Sequence, residues 1–188
     1  VMFTSKQSVV EQRQIGQDVL SLIDGLEYCQ QEDIDILAIS DIKEELSEKM
    51  PLMLDIASSN SLVIMEMNID SAIRAIEKIL GSFPPSKIEA ARVLLADVLE
   101  GVVVQKLIPK NGGGMSLAVE ILMGIPAVKS VIREGKIKQI ETIMQTSGAQ
   151  GMVSMTQSLV GLAQNGQISR EEALANAPEK EDFNIMIK

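Results

Sequence analysis

Ile34-Asp35-Ile36-Leu37-Ala38-Ile39-Ser40-Asp41 is an apolar run closed by polar residues. Its shortness and β-branched content predict a buried strand, of the parallel type, with its C-terminal end at Ser40-Asp41. Upstream, Val19, Leu20, Leu22, Ile23, Leu26 and Cys29 recur at three- and four-residue steps. That spacing predicts a helix capped by Asp18 and ended by Gln30-Gln31-Glu32-Asp33, with residues 1 to 15 extended or in a loop before it. Downstream, a second helix is expected over about Lys43 to Ala57, with Pro51 kinking or breaking it. Ser61 to Met67 forms the next strand, and Asp70 or Ser71 caps a helix reaching about Leu80. Gly81 to Pro85 turns the chain into a long helix from Lys87 to about Glu100. Strand and helix alternate through the first 80 residues, which defines an α/β layered architecture.

The pattern then changes. Val102 to Ile108 and Met115 to Met123 are β-like and flank Pro109-Lys110-Asn111-Gly112-Gly113-Gly114, which predicts a β-hairpin. Pro126 opens another helix. Short helices follow to about Ala177, separated by Gly135, Gly148, Gly151 and Gly166, with Met144, Met152 and Met155 as core. Pro178 to Lys188 reads as a loosely held tail.

Composition narrows the chemistry. The 188 residues carry 17 basic and 26 acidic side chains, a formal charge of −9, which argues against a nucleic-acid partner held by bulk charge. Histidine is absent, so histidine general bases and histidine metal sites are excluded. A single cysteine, Cys29, excludes an intrachain disulfide. Aromatic residues make up 2% and Trp is absent, so base-stacking platforms are not expected. No apolar stretch of about 18 residues exists to serve as a transmembrane segment, and none near Val1 serves as a signal peptide. The Val1 start reads as a point inside a longer protein. Charge is uneven: residues 31 to 55 hold eight acids against Lys43 and Lys49, a net of −6, whereas residues 104 to 138 hold six bases against Glu120 and Glu134, a net of +4. Such asymmetry either orients one subunit against another or marks solvated faces of opposite sign.

The order of these motifs resembles one family. Glu11-Gln12-Arg13-Gln14-Ile15-Gly16 is similar to the Gln-Arg-Glu-Val-Gly run of the type IV pilus retraction and type II secretion ATPases. Asp33 to Asp41 resembles their Walker B strand, and Ser61 to Ala72 their histidine-box strand. Phe83-Pro84 and the helix after it resemble the family's Phe-Pro and Leu-rich helix. Gly124-Ile125-Pro126-Ala127-Val128-Lys129-Ser130-Val131-Ile132-Arg133-Glu134-Gly135-Lys136 is similar to a segment of the retraction branch, which favours pilus retraction over secretion. The resemblance runs from about residue 5 to residue 178.

The departures bear on chemistry. A P-loop needs glycine-rich backbone N–H groups followed by Lys and Ser/Thr, and no such run occurs. Asn111-Gly112-Gly113-Gly114 precedes Met115-Ser116 with no Lys, so it reads as the hairpin turn. In the family the P-loop would lie before residue 1. The Walker B strand ends in Gly-Glu in the family and in Ser40-Asp41 here. Asp41 reads either as a catalytic or Mg²⁺-shell carboxylate, with one methylene less reach, or as a strand-end acid. The histidine box falls on Glu66 to Ser71, so its histidine is Asn68 and its next threonine is Ile69. An amide hydrogen-bonds phosphate or water but carries no charge. Upstream of it, a family glutamate position falls on Ser58, which also removes an acid. Arg13 keeps its family position and reads either as a phosphate or carboxylate contact or as a surface salt bridge. Lys129, Arg133 and Glu134 read either as a partner-contact face or as a solvated stripe.

The resemblance implies a RecA-like P-loop NTPase core, in part, with a C-terminal helical bundle. Residues 1–123 would be the partial core lacking its Walker A segment, 124–178 the helical region and 179–188 the tail. Catalytic positions would be Asp41 and Asn68, with Arg13 and Ser40 toward the nucleotide. ATP and Mg²⁺ are the family's cofactors. The implied assembly is a homohexameric ring on the cytoplasmic side of the inner membrane, acting with the pilus platform protein. This chain alone is expected not to turn over ATP. The alternative is a non-catalytic structural or regulatory paralogue.

Overall fold

The fold is seen in a computed structural model, which describes residues 3–32, 34–40, 42, 46–59 and 61–187. The chain divides into two compact units, Val1–Glu66 and Met67–Lys188. The expected boundary after residue 123 therefore falls inside the second unit. The physical reason is that the hairpin strand ending there packs on a C-terminal helix of the same unit, Met155–Gln164.

In the first unit α1 spans Leu22–Gln31, β1 Ile36–Ile39, α2 Lys49–Ser58 and β2 Leu62–Met65. β1 and β2 pair in parallel, Ile36 opposite Leu62 and Ile39 opposite Met65. The sequence reading is corrected at three points. Ser21, not Asp18, caps α1, accepting from the Asp24 N–H; Asp18 instead accepts from the Gln14 N–H at 2.8 Å and closes a turn before the helix. Pro51 sits in the first turn of α2, where its missing N–H would have had no intrahelical partner, so it neither kinks nor breaks the helix. Both strands are four residues long, shorter than their apolar runs. Leu26, Ile39, Met53 and Ile56 form the core, with Leu22, Cys29, Leu37, Val63 and Met65 packed against it.

In the second unit Ser71 caps α3, Ala72–Gly81, as expected. α4 spans Ile88–Val98, and the hairpin follows as β3, Gly101–Pro109, and β4, Met115–Met123. The antiparallel register runs from Gly101 opposite Met123 to Pro109 opposite Met115. Val104, Ile108, Ala118 and Leu122 alternate onto a buried face, as a period of two requires. Gly112, Gly113 and Gly114 turn the hairpin with positive φ, which only glycine adopts freely. Asn111 ties that turn to the Gln167 and Gly166 carbonyls at 2.9 and 3.0 Å. Then come α5 Pro126–Arg133, α6 Ile140–Thr146, α7 Met155–Gln164, α8 Arg170–Asn176 and α9 Lys180–Met186. Met144, Met152 and Met155 are buried, as expected. The expected loose tail is instead α9, held by Phe183, whose exposure is 0%. Among the described residues no helix is long and apolar enough to cross a membrane.

Candidate functional site

Each unit places some of the candidate residues. In the first, Ser40 follows the last residue of β1 and is exposed. Asp41, the Walker B position, lies outside the described residues. Arg13 lies 3.8 Å from the centre of the Tyr28 ring on α1 and donates to Glu11 Oε2 at 3.1 Å. Tyr28 first, then Glu11, holds the guanidinium in its charged form and pushes its pKa up. Arg13 is thus held within its own unit by an aromatic face and a carboxylate. Burial pushes the neighbouring Cys29 thiol up, and Arg13 opposes that rise. Among the described residues lining a pocket of about 400 Å³, which include Cys29, Glu32, Ser59 and Ser61, there is no cation to meet a phosphate group.

The second unit holds a different kind of groove. Asn68 and Ile69 lead into α3, and Gln105 and Lys106 face them from β3 across an open groove of about 540 Å³. Arg74 and Lys78 line it from successive turns of α3. Arg74 Nη1 donates to both carboxylate oxygens of Asp70 at 3.1 Å. Lys78 and Lys106 make no hydrogen bond or ion pair among the described residues. The sequence reading finds Asn68 but misses both lysines. Arg74 and Lys78 are four apart on one helix, a signal within reach, whereas Lys106 arrives only through the packing of α3 on β3.

The start of α3 is fixed by a residue that the sequence gives no reason to single out. Glu120 on β4 is 8% exposed. Its Oε1 accepts from the Ala72 N–H at 2.7 Å, and its Oε2 from the Met155 N–H at 3.4 Å. One carboxylate thereby satisfies the first amide of two helices, where the helix dipole favours negative charge. It sets α3, and the groove residues on it, against the hairpin.

The segment from Gly124 to Lys136 is latched to α4. Lys129 Nζ donates to the Asp97 carbonyl at 3.2 Å and lies 3.8 Å from Glu100. Arg133 donates to the Asp97 carboxylate. Glu134 meets Lys136 at 2.7 Å and accepts from Ser130 at 3.2 Å; Lys136, then Ser130, holds its carboxyl below the usual range. A Cβ on Gly124 would lie 2.0 Å from the Leu99 carbonyl oxygen, so the close approach of these two backbones requires glycine there. Lys129 and Arg133 thus spend their charge inside the unit, although Arg133 and Glu134 remain exposed.

These residues fit a phosphate-bearing ligand better than a metal. Three cations, Arg74, Lys78 and Lys106, line the groove with Asp70 and the Asn68 amide, whereas no cluster of three or more metal-ligating side chains occurs among the described residues.

No protein-family model matches the chain. The chain is 35% identical over 179 residues to a type IV pilus retraction ATPase of Pseudomonas aeruginosa, PilT, covering 95% of this chain and 52% of that protein. It is 33% identical over 182 residues to a twitching motility protein of Neisseria gonorrhoeae, covering 96% and 48%. Among solved structures, a pilus retraction motor PilT with bound ADP superimposes with a TM-score of 0.88 at 32% identity, covering 98% of this chain and 51% of that one. The DotB ATPase of Legionella pneumophila gives 0.79 at 16% identity, covering 93% and 47%, a likeness of fold. The fold is therefore part of the RecA-like core of the P-loop NTPases, with a C-terminal helical bundle. The chain is similar, as a divergent form, to the C-terminal RecA-like part of the type IV pilus retraction ATPases. It spans about half the length of the curated relatives it matches.

Proposed function

We propose that the chain is the C-terminal part of an ATP-driven motor that depolymerises type IV pili. One observation carries the reading: the likeness to the ADP-bound retraction motor extends over 98% of the chain at 32% identity. In this reading the protein assembles as a homohexameric ring at the cytoplasmic face of the inner membrane. It acts there on the pilus platform protein and takes ATP with Mg²⁺. Asp41 stands at the Walker B position, and Arg13 and Ser40 lie toward the nucleotide. The exposed Arg133 and Glu134, with Lys129, form a partner face. Charge placement is what phosphoryl transfer depends on, so the 188-residue chain by itself does not turn over ATP.

A second reading rests on the exchange of histidine for Asn68: a structural or regulatory paralogue that keeps the ring surface without the chemistry. Motility separates the two. Loss of the gene abolishes twitching under either reading. Restoration by the wild-type gene but not by Asp41→Ala supports the motor; restoration by both supports the paralogue. Unchanged twitching after loss of the gene overturns both. A Mg²⁺-dependent ATPase rate from the 188-residue chain, abolished by Asp41→Ala, contradicts the expectation that it is inactive alone.

A further inference from the structure

We infer that the groove between α3 and β3 binds a phosphate-bearing ligand through Lys78 and Lys106, which supply there the positive charge that Asn68 does not. The inference rests on the nucleotide reading above and deepens it.

Charge is the starting point. Four charged side chains line the groove. Asp70 chelates Arg74 with both oxygens, so that pair is neutral toward a ligand. Lys78 and Lys106 are left without a partner among the described residues. Two like charges converging from a helix and a strand repel each other, and an anion between them removes that cost. Lysine suits the task because its compact ammonium has three donors that turn to meet phosphate oxygens. The Asn68 amide adds a neutral donor on the same wall. The volume, about 540 Å³, lies within the ordinary range for small-ligand sites.

The backbone under the groove is built rather than accidental. Lys106 pairs with Ala118 in the hairpin ladder. Lys78 lies two turns into α3, whose first amide is fixed by Glu120 on the adjoining strand. Both cations are carried by regular elements joined through a buried carboxylate, so their separation is set by the fold. A ligand with two adjacent phosphate groups meets both lysines at once, whereas a single phosphate meets them less well.

Inorganic pyrophosphate is the direct probe, titrated calorimetrically into the 188-residue chain. The expected result is one equivalent bound, more tightly than inorganic phosphate, and weakening as NaCl rises from about 0.05 to about 0.5 M. Lys78→Gln and Lys106→Gln should each weaken binding about tenfold, since each removes one charge-assisted contact. Lys180→Gln on α9 makes the same charge change away from the groove and should leave binding unaltered. Both groove lysines are exposed, so far-ultraviolet circular dichroism should show every variant folded. The inference is overturned if pyrophosphate does not bind, if the double variant binds it equally well, or if Lys180→Gln weakens it as much. It is also overturned if the groove substitutions change only self-association of the chain, which would make the groove a docking surface for acidic segments. If Mg-ADP binds the wild type and the double variant alike, nucleotide recognition survives and the groove assignment fails.

Discussion

The two units solve the same problem, covering a small sheet, with unequal completeness. β3 and β4 are nine residues each, joined by a five-residue turn, and one of their faces is covered for most of its length by helices of their own unit. β1 and β2 are four residues each, and their pairing is parallel. Parallel strands are ordinarily buried on both faces. Here α1 and α2 cover one face, while Ile36 and Ile64 on the other are 61% and 54% exposed. The hairpin is a local structure whose strand pairings lie close in sequence, and its apolar face packs on helices of its own unit. The parallel pair depends on surfaces beyond its own helices. The second unit should therefore be the more stable of the two.

The molecule carries its own reporter for this comparison. Its one tyrosine, Tyr28, lies on α1, and it has no tryptophan. Tyrosine fluorescence therefore follows the first unit, while far-ultraviolet dichroism is dominated by the helices of the second. Phe183→Ala empties a fully buried site on α9 and should cost the second unit about 3–5 kcal/mol. The dichroism transition in denaturant should move while the tyrosine transition stays. Equal shifts of both would mean one cooperative body and would break the comparison. Gly124→Ala forces a Cβ against the Leu99 carbonyl, and about 2–3 kcal/mol of overpacking is expected in the same transition. Glu120→Leu leaves the Ala72 and Met155 amides without their acceptor, at a cost of about 1–3 kcal/mol. Amide exchange of Ala72, protected in the wild type, would rise in the variant, and unchanged exchange would deny Glu120 its capping role.

The same contrast explains what the amino-acid sequence reveals. The hairpin is legible almost to the residue, because alternation of period two and three consecutive glycines are local signals. Ser71 as a cap and Pro126 as a helix opener are legible for the same reason. Asp18 misleads, because an aspartate caps turns and helices alike and the choice depends on where the chain goes next. The helical tail is hidden because Lys180-Glu181-Asp182 looks solvated, and only the docking of Phe183 gives α9 its anchor. Of the groove, Asn68 is reached through family resemblance. Lys106 is 38 positions away in sequence, and no local pattern assigns it to the same wall. Glu120 looks like one acid in a basic stretch until two helix termini are found on it.

The smallest effects lie on the surface of α5, and they sharpen the comparison by showing what does not hold the second unit together. Arg133→Ala removes an exposed pair with Asp97, for which less than about 1 kcal/mol is expected, fading in salt. Glu134 gives a finer test. Its carboxyl is held below the ordinary range by Lys136 and then Ser130, so its folded-state pKa lies under its unfolded one. A depressed acid contributes stability above its unfolded pKa, about 4.3 for glutamate, and loses it as pH falls through the folded value. The contribution should therefore be constant near neutrality and disappear only in acid. In a carbon-detected NMR titration, Lys136→Ala should raise the Glu134 midpoint toward that of a free glutamate, and Ser130→Ala should raise it less. If Ser130→Ala produced the larger rise, the hydroxyl rather than the ammonium would govern this turn. Because the Glu134 side chain is only half covered and its pair lies at the surface, neither substitution should move the dichroism transition at neutral pH, in contrast to Phe183→Ala.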